Sequence, residues 1–214
     1  MQGRSACDGC GRALTARELV PLASWVARRG RCATCGAAIH PMHPVCELLA
    51  LAVGLSAGLA APGWQGAAGA VFGWLLLALA AVDWRAFWLP DRLTALLALT
   101  GLATGLTGWF PPPLASRLIG GVTGFVVLEA VRIGYRWWRG REGLGGGDPK
   151  LFGAIGLWLG WQALAPTLLV ASGVGMGFVL GWRLSGRSIA ADTKLPLGVL
   201  LAGAAYGVWL LSIR

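Results

Sequence analysis

Apolar runs alternate with short polar or glycine-rich connections along the chain after residue 45. A helix needs about 20 mainly apolar residues to cross about 30 Å of hydrocarbon, and several of these runs are near the lower limit of that length. The pattern predicts an all-α polytopic membrane protein whose residues 46–214 form a multi-helix transmembrane domain. About seven transmembrane helices are expected, near residues 46–61, 67–82, 92–109, 115–134, 151–165, 167–182 and 195–212.

Composition supports a membrane location. Of the 214 residues, 56% are hydrophobic and 13% are charged, whereas soluble domains carry about 25% charged residues. Glycines four positions apart, such as Gly54/Gly58 and Gly101/Gly105, are expected to let helices approach closely within the lipid bilayer.

The net charge of +9 is explained by membrane topology. If the first of seven spans begins inside, the connections that face the cytoplasm, together with their edges, hold 16 of the 18 lysines and arginines. This excess is the positive-inside pattern. It predicts a cytoplasmic N-terminal segment, attraction to anionic lipid and no nucleic-acid partner. The first 15 residues contain no apolar stretch of the signal-peptide kind, so the first span is expected to direct insertion. The predicted cytoplasmic segments are residues 1–45, 83–91, 135–150 and 183–194.

Residues 1–45 form a polar, arginine-rich segment with two C-x-x-C pairs. Cys7, Cys10, Cys32 and Cys35 have the spacing of a zinc site, and reducing cytoplasm favours metal over disulfides. Four thiolates leave no open coordination position, so the ion would be structural. The segment is therefore predicted to be a small cytoplasmic zinc-knuckle domain.

Other uses of these side chains remain open. A C-x-x-C pair can also act as a redox dithiol. Cys46 stands outside the pattern and is expected to be a buried apolar residue. His40 and His43 could bind metal or titrate, although their place between prolines favours a spacer leading into the membrane.

Two aspartates stand out among nine acidic residues. Asp83 ends the second apolar run, and Asp148 lies in the glycine-rich stretch GLGGGDPK, directly before an apolar helix. Helix capping would explain Asp148, as it would Asp91. Capping does not explain the surrounding glycines, which permit unusual backbone conformations, or Lys150, a cation in a first helical turn.

The predicted topology places Asp83 and Asp148 on the same cytoplasmic face. Two carboxylates that share a site near lipid do not both ionise readily, so one holds a proton while the other activates water. One would act as general base toward water while its partner protonates the amide. This is the chemistry of aspartic proteases.

Four segments in this order resemble the type IV prepilin peptidases, which are membrane aspartic proteases with a Gly-x-Gly-Asp motif. They read PLASWVARRGRCATCGAAIHPMHPVCELL, VDWRAFWLPDRLT, GLGGGDPKLFGAIGLWLGW and TKLPLGVLLAG. The resemblance implies that Asp83 and Asp148 are catalytic, that Gly145 and Gly147 are the motif glycines, and that Lys150 is the lysine that follows.

The same resemblance implies the substrates and location. Family members sit in the bacterial inner membrane and remove the basic leader from type IV prepilins or type II secretion pseudopilins. Bifunctional members, with which the four-cysteine domain is associated, then methylate the new N-terminus from S-adenosylmethionine. The family usually has a membrane helix before the first C-x-x-C, so either the true start lies upstream or this member lacks that helix. His43 in place of a Tyr and LPLGV in place of Pro-Phe-Gly-Pro are expected to affect substrate fit without touching the aspartates.

Two other functions compete with the peptidase. A transporter or proton-conducting protein would use Asp83, Glu129 and Asp148 as a relay, and would spread such acids over the depth of the bilayer. A non-catalytic assembly factor would use the zinc domain for docking. Neither accounts for the glycine-flanked aspartate.

Overall fold

The computed structural model describes residues 5–108, 110–186 and 195–213, and within these ranges the fold is all-helical. Part of the predicted loop at 183–194 therefore lies outside the described residues. The helices are α1 (Ala23–Ala27), α2 (Met42–Ala60), α3 (Trp64–Ala86), α4 (Asp91–Leu106), α5 (Leu114–Arg139), α6 (Asp148–Leu159), α7 (Leu164–Leu184) and α8 (Leu197–Ser212), with 3-10 turns at Ala16–Leu19 and Trp161–Ala163.

Each predicted span overlaps one of the helices α2 to α8, but these helices differ in length. Four segments in the described part of the chain are long and apolar enough to cross a membrane: Met42–Ala60, Trp64–Ala86, Leu114–Arg139 and Trp161–Leu184. Helix α6 has 12 residues, and α4 and α8 have 16 each, which correspond to about 18 Å and 24 Å. These three helices are shorter than the hydrocarbon layer.

One predicted boundary is wrong. The span expected at 151–165 ends earlier, because α6 stops at Leu159 and Gly160 has a positive φ of 77°. Pro166, which would interrupt a helix interior, instead lies in the first turn of α7, where no intrahelical N–H bond is lost.

Helix α6 is enclosed by its neighbours, and all its residues except Lys150 and Leu157 are buried. It packs backbone to backbone against α5. A Cβ at Gly120 would lie 2.6 Å from the Gly156 carbonyl oxygen, and one at Gly124 would lie 2.8 Å from that of Phe152. Glycine is therefore required where these two helices touch.

The other side of α6 is anchored by Trp158. Its ring stacks on Phe72 of α3 at 4.8 Å, and its Nε1 donates to the Leu97 carbonyl of α4 at 2.7 Å. Gly101 makes room for this ring. The predicted glycine pairs thus have different uses: Gly101 accepts a side chain, whereas Gly58 has open space around it.

The chain divides into two compact units, Met1–Ala52 and Val53–Arg214. The second unit holds the apolar core that surrounds α6. In the described part of the first unit, only Gly30 and Pro44 are buried. Residues 5–52 therefore form no apolar core of their own.

Candidate active site and metal centre

Asp83 lies in the last turn of α3 and is buried. Its Oδ2 accepts the Val199 backbone N–H at 3.1 Å, and the Gly198 N–H is a second donor. Both donors belong to the first turn of α8, where N–H groups have no intrahelical partners. The N-terminus of α8 thus holds the Asp83 carboxylate.

Asp148 is the first residue of α6 and is also buried. Its Oδ2 accepts the Gly145 backbone N–H at 3.1 Å. Neither Asp148 nor Asp91 makes a side-chain capping bond to its helix. The capping interpretation of both residues is therefore wrong.

The structure brings Asp83 and Asp148 together. The two carboxylates are close enough to interact electrostatically, although they are far apart in sequence. Leu89 is buried between the elements that carry them, because its side chain packs against both Gly147 and Gly198. The end of α3 and the beginnings of α6 and α8 therefore form one site.

Gly145 and Gly147 are required for space and not for unusual backbone angles. None of Gly143, Gly145, Gly146 and Gly147 has a positive φ, so the expectation of special conformations is wrong. A Cβ at Gly145 would lie 3.1 Å from the Asp148 Oδ2, and one at Gly147 would lie 2.8 Å from the Leu89 Cβ. Gly146 has nothing within 4 Å.

Lys150 pairs with Asp91 at the surface. Its Nζ donates to the Asp91 Oδ1 at 2.7 Å, so it joins the first turn of α6 to that of α4. Both side chains are about half exposed or more, and exposed pairs contribute at most about 1 kcal/mol. The acidic partner explains how a cation is tolerated in this turn.

Sequence reasoning missed three residues of the site: Leu89, Gly198 and Val199. LPLGV was expected to stay clear of the aspartates, but a Cβ at Gly198 would lie 2.8 Å from the Asp83 Oδ2. The available signal was a glycine just after Pro196, at the start of an apolar run.

A buried cation, Arg117, was also missed. It is 2% exposed and donates to the carbonyl oxygens of Gly101 near the end of α4, of Leu157 in the last turn of α6, and of Pro111 and Pro112. Helix C-termini carry partial negative charge, which offsets the buried guanidinium. Arg117 therefore ties together the ends of α4 and α6 that lie opposite Asp148.

The four predicted cysteine ligands form a second cluster. Their sulfurs lie within 4.8 Å of one another, and the Cys7 and Cys35 sulfurs are 3.8 Å apart. A tetrahedral ion with Zn–S distances of about 2.3 Å separates its sulfurs by about 3.8 Å. The cluster therefore has dimensions that fit one metal ion.

Two matching turns build this cluster. Each C-x-x-C pair is closed by a bridge, Ala6 to Ala13 or Arg31 to Ala38, and is followed by a glycine with positive φ, Gly11 or Gly36. Backbone N–H groups of Cys35 and Thr34 lower the pKa of the Cys32 thiol to about 6. Because both pairs face one centre, the arrangement favours a metal site over separate redox dithiols.

Two known sequence families match this chain. Residues 70–181 match the type IV leader peptidase family, and residues 1–60 match the bacterial peptidase A24 N-terminal domain. This chain belongs to the type IV leader peptidase family. The matched regions contain the two aspartates and the four cysteines, respectively.

Two relatives of this family member carry the same name. This chain is 39% identical over 207 residues to the prepilin leader peptidase/N-methyltransferase of Aeromonas salmonicida strain A449. The matched region covers 96% of this chain and 70% of the relative. This chain is 43% identical over 203 residues to the protein of that name from Burkholderia pseudomallei strain K96243, covering 93% of this chain and 64% of the relative. No solved structure matches.

Proposed function

We propose that this protein is an aspartic endopeptidase that removes the leader peptide from type IV prepilins or type II secretion pseudopilins. The observation that carries the proposal is the burial of Asp83 and Asp148 in one site. Family membership and the relatives' shared name support the same reaction.

Asp83 and Asp148 have separate roles in the proposed mechanism. Asp83 receives two backbone N–H groups at the start of α8, and such donors favour a charged carboxylate. Asp83 therefore takes a proton from water as the oxygen attacks the scissile carbonyl. Asp148 holds the proton that passes to the leaving amide nitrogen, which balances the hydrolysis.

Leader removal tests this proposal directly. The full chain is co-expressed with a prepilin substrate, and the substrate N-terminus is measured by mass spectrometry for the wild type, Asp83→Asn and Asp148→Asn. Both variants are expected to leave the leader attached, with losses of about a thousandfold or more because each role needs its carboxyl group.

Glu142→Gln is the matched control for these variants. Glu142 lies in the loop that leads to Asp148, and its side chain is 69% exposed, so cleavage should continue at the wild-type rate. Membrane abundance of all variants is compared by immunoblot. Normal cleavage by either well-expressed asparagine variant would contradict the two-aspartate mechanism.

A proton relay receives less support. The ends of α3 and α6 that carry Asp83 and Asp148 belong to one site, so these acids are not spread in depth as a relay needs. Arg132 holds Glu129 by two hydrogen bonds. Its Nε donates to the Glu129 Oε2 at 3.0 Å, and its Nη2 donates to the Oε1 at 2.6 Å. Because both oxygens of Glu129 are occupied by this ion pair, its role is structural.

We also propose seven crossings, a bacterial inner-membrane location and a cytoplasmic site. An odd number of crossings from a cytoplasmic N-terminus puts Asp83, Asp148 and Gly198 on the cytoplasmic side, consistent with their meeting in one site. In this arrangement residues 1–45 form the cytoplasmic zinc domain and residues 46–214 form the peptidase domain. Helices α4, α6 and α8 would cross within the bundle, where neighbouring helices cover their ends.

The relatives' name supports a second reaction, N-methylation of the new N-terminus. When bound, S-adenosylmethionine supplies a methyl group on a sulfonium. The amine lone pair forms the new N–C bond, the C–S bond breaks and the amine proton leaves to solvent. Zn²⁺ on Cys7, Cys10, Cys32 and Cys35 would have a structural role, because four thiolates fill its coordination.

A further inference from the structure

The N-terminal unit contains a cavity of about 410 Å³ next to the cysteine cluster. Four segments form its wall: the first cysteine turn, the region of α1, the second cysteine turn and the start of α2. The volume is in the range of small-molecule sites. The residues that matter below are Asp8, Trp25, Arg31, His43 and Glu47.

Trp25 supplies an aromatic wall with an unused donor. Its indole Nε1 is buried and has no hydrogen-bond partner among the described residues. A buried N–H without an acceptor is costly, so such groups usually have a partner in the functional state. Gly30, with φ of 68°, lets the chain close against the ring: a Cβ there would lie 3.1 Å from the indole.

Charged groups of both signs also line the cavity. Glu47 accepts the Leu22 N–H through Oε2 at 2.7 Å, which fixes its carboxylate and leaves Oε1 for another donor. Asp8 and Arg31 also line the cavity. Glu18 is already occupied, because Arg12 and Arg28 contact its Oε1. The cavity therefore suits a ligand that carries both charges and an aromatic ring.

We propose that this cavity is the binding site for S-adenosylmethionine, an inference that rests on the proposed methyltransferase activity. The adenine would stack on Trp25, whose Nε1 would gain an acceptor from the ligand. Arg31 would pair with the ligand carboxylate, and Glu47 or Asp8 with its cationic groups.

The location of the cavity suits the methyl acceptor. His43 and Glu47 belong to the first turns of α2, and α2 is long and apolar enough to cross a membrane. A cofactor bound there would lie where a membrane helix begins. The new N-terminus of a processed pilin precedes an apolar helix in the same way.

Binding of S-adenosylhomocysteine to the zinc-loaded full chain in detergent tests the inference. Equilibrium dialysis is performed with the wild type, Trp25→Leu, Glu47→Gln and Trp64→Leu. Trp25→Leu is expected to bind roughly tenfold more weakly or worse, because base stacking on an aromatic ring is lost. Trp64 is 75% exposed and does not line the cavity, so Trp64→Leu should bind like the wild type.

Photolabelling with S-adenosylmethionine provides a second readout that does not require a variant to fold. Ultraviolet irradiation of the wild type with methyl-tritiated cofactor should place the label on peptides from residues 5–47. Label confined to residues 53–213 would overturn the inference. Unchanged affinity in both Trp25→Leu and Glu47→Gln, at normal zinc content, would also overturn it.

The two proposals can fail separately. A wild-type preparation that removes leaders but binds no S-adenosylmethionine contradicts the cavity assignment and leaves the peptidase standing. A preparation that binds cofactor in the cavity but leaves a matched prepilin intact contradicts the peptidase alone.

Discussion

At the scale of single residues, Gly198 allows α8 to approach Asp83 closely, because it has no side chain. We expect Gly198→Ala to push on Asp83, because the added Cβ would lie 2.8 Å from its Oδ2. A displacement of about 1 Å in a catalytic group can cost about a hundredfold in rate. The measurement is the rate of leader cleavage in membranes that contain equal amounts of each variant.

Gly203→Ala is the control for this prediction, since Gly203 lies in the same helix and has nothing within 4 Å. It should cleave at the wild-type rate, and alanine also has the higher helix propensity. Equal activity of Gly198→Ala and Gly203→Ala would mean that α8 does not hold Asp83 as the structure indicates.

Gly198 also marks a limit of sequence reasoning at this scale. Asp83 and Asp148 could be singled out because acids are rare in apolar surroundings and their context is distinctive. The residues that hold them could not be singled out: Val199 acts through its backbone and Gly198 through a missing side chain. Contacts of this kind depend on how α3, α6 and α8 pack, and no local pattern encodes that.

At the scale of helices, α5 and α6 depend on glycines that touch backbone. We expect Gly120→Ala to lower the free energy of unfolding by about 1–3 kcal/mol, the usual cost of overpacking. The reason is that its Cβ would lie 2.6 Å from the Gly156 carbonyl oxygen. A backbone atom within a helix cannot shift alone, so α5 and α6 would have to move apart. Unfolding by sodium dodecyl sulfate in mixed micelles measures the change.

Gly134→Ala is the matched substitution in α5, because Gly134 has nothing within 4 Å. It should leave the free energy of unfolding unchanged or raise it slightly. If both variants unfold like the wild type, α5 and α6 do not pack through glycine backbone.

Helix positions were largely predictable from apolar runs, because a membrane helix must satisfy its backbone groups internally. Two features were not. The end of α6 depends on the positive φ of Gly160, and the apolar sequence around this glycine gives no sign of a break. The pairing of Gly120 with Gly156 was hidden because the chain has 34 glycines, and spacing alone does not tell which of them face another helix.

At the scale of the whole molecule, the two units are stabilised in different ways. The helical unit buries side chains such as Phe72, Leu76, Phe152 and Ile155. The N-terminal unit buries no large apolar side chain among its described residues. Small units without an apolar core generally depend on metal or disulfides, and its cysteines are unpaired.

Metal should therefore control the folding of the N-terminal unit alone. We expect about one zinc per chain in the wild type, by elemental analysis, because one tetrahedral site uses four thiolates. Cys10→Ser should lose most of this zinc and the hydrogen-exchange protection of residues 5–40, while helices α3 to α8 keep theirs. Cys46→Ser is the control, because Cys46 lies outside the cluster, and it should retain both zinc and protection. Full protection of residues 5–40 in the zinc-free Cys10→Ser protein would show that the backbone turns hold this unit together without metal.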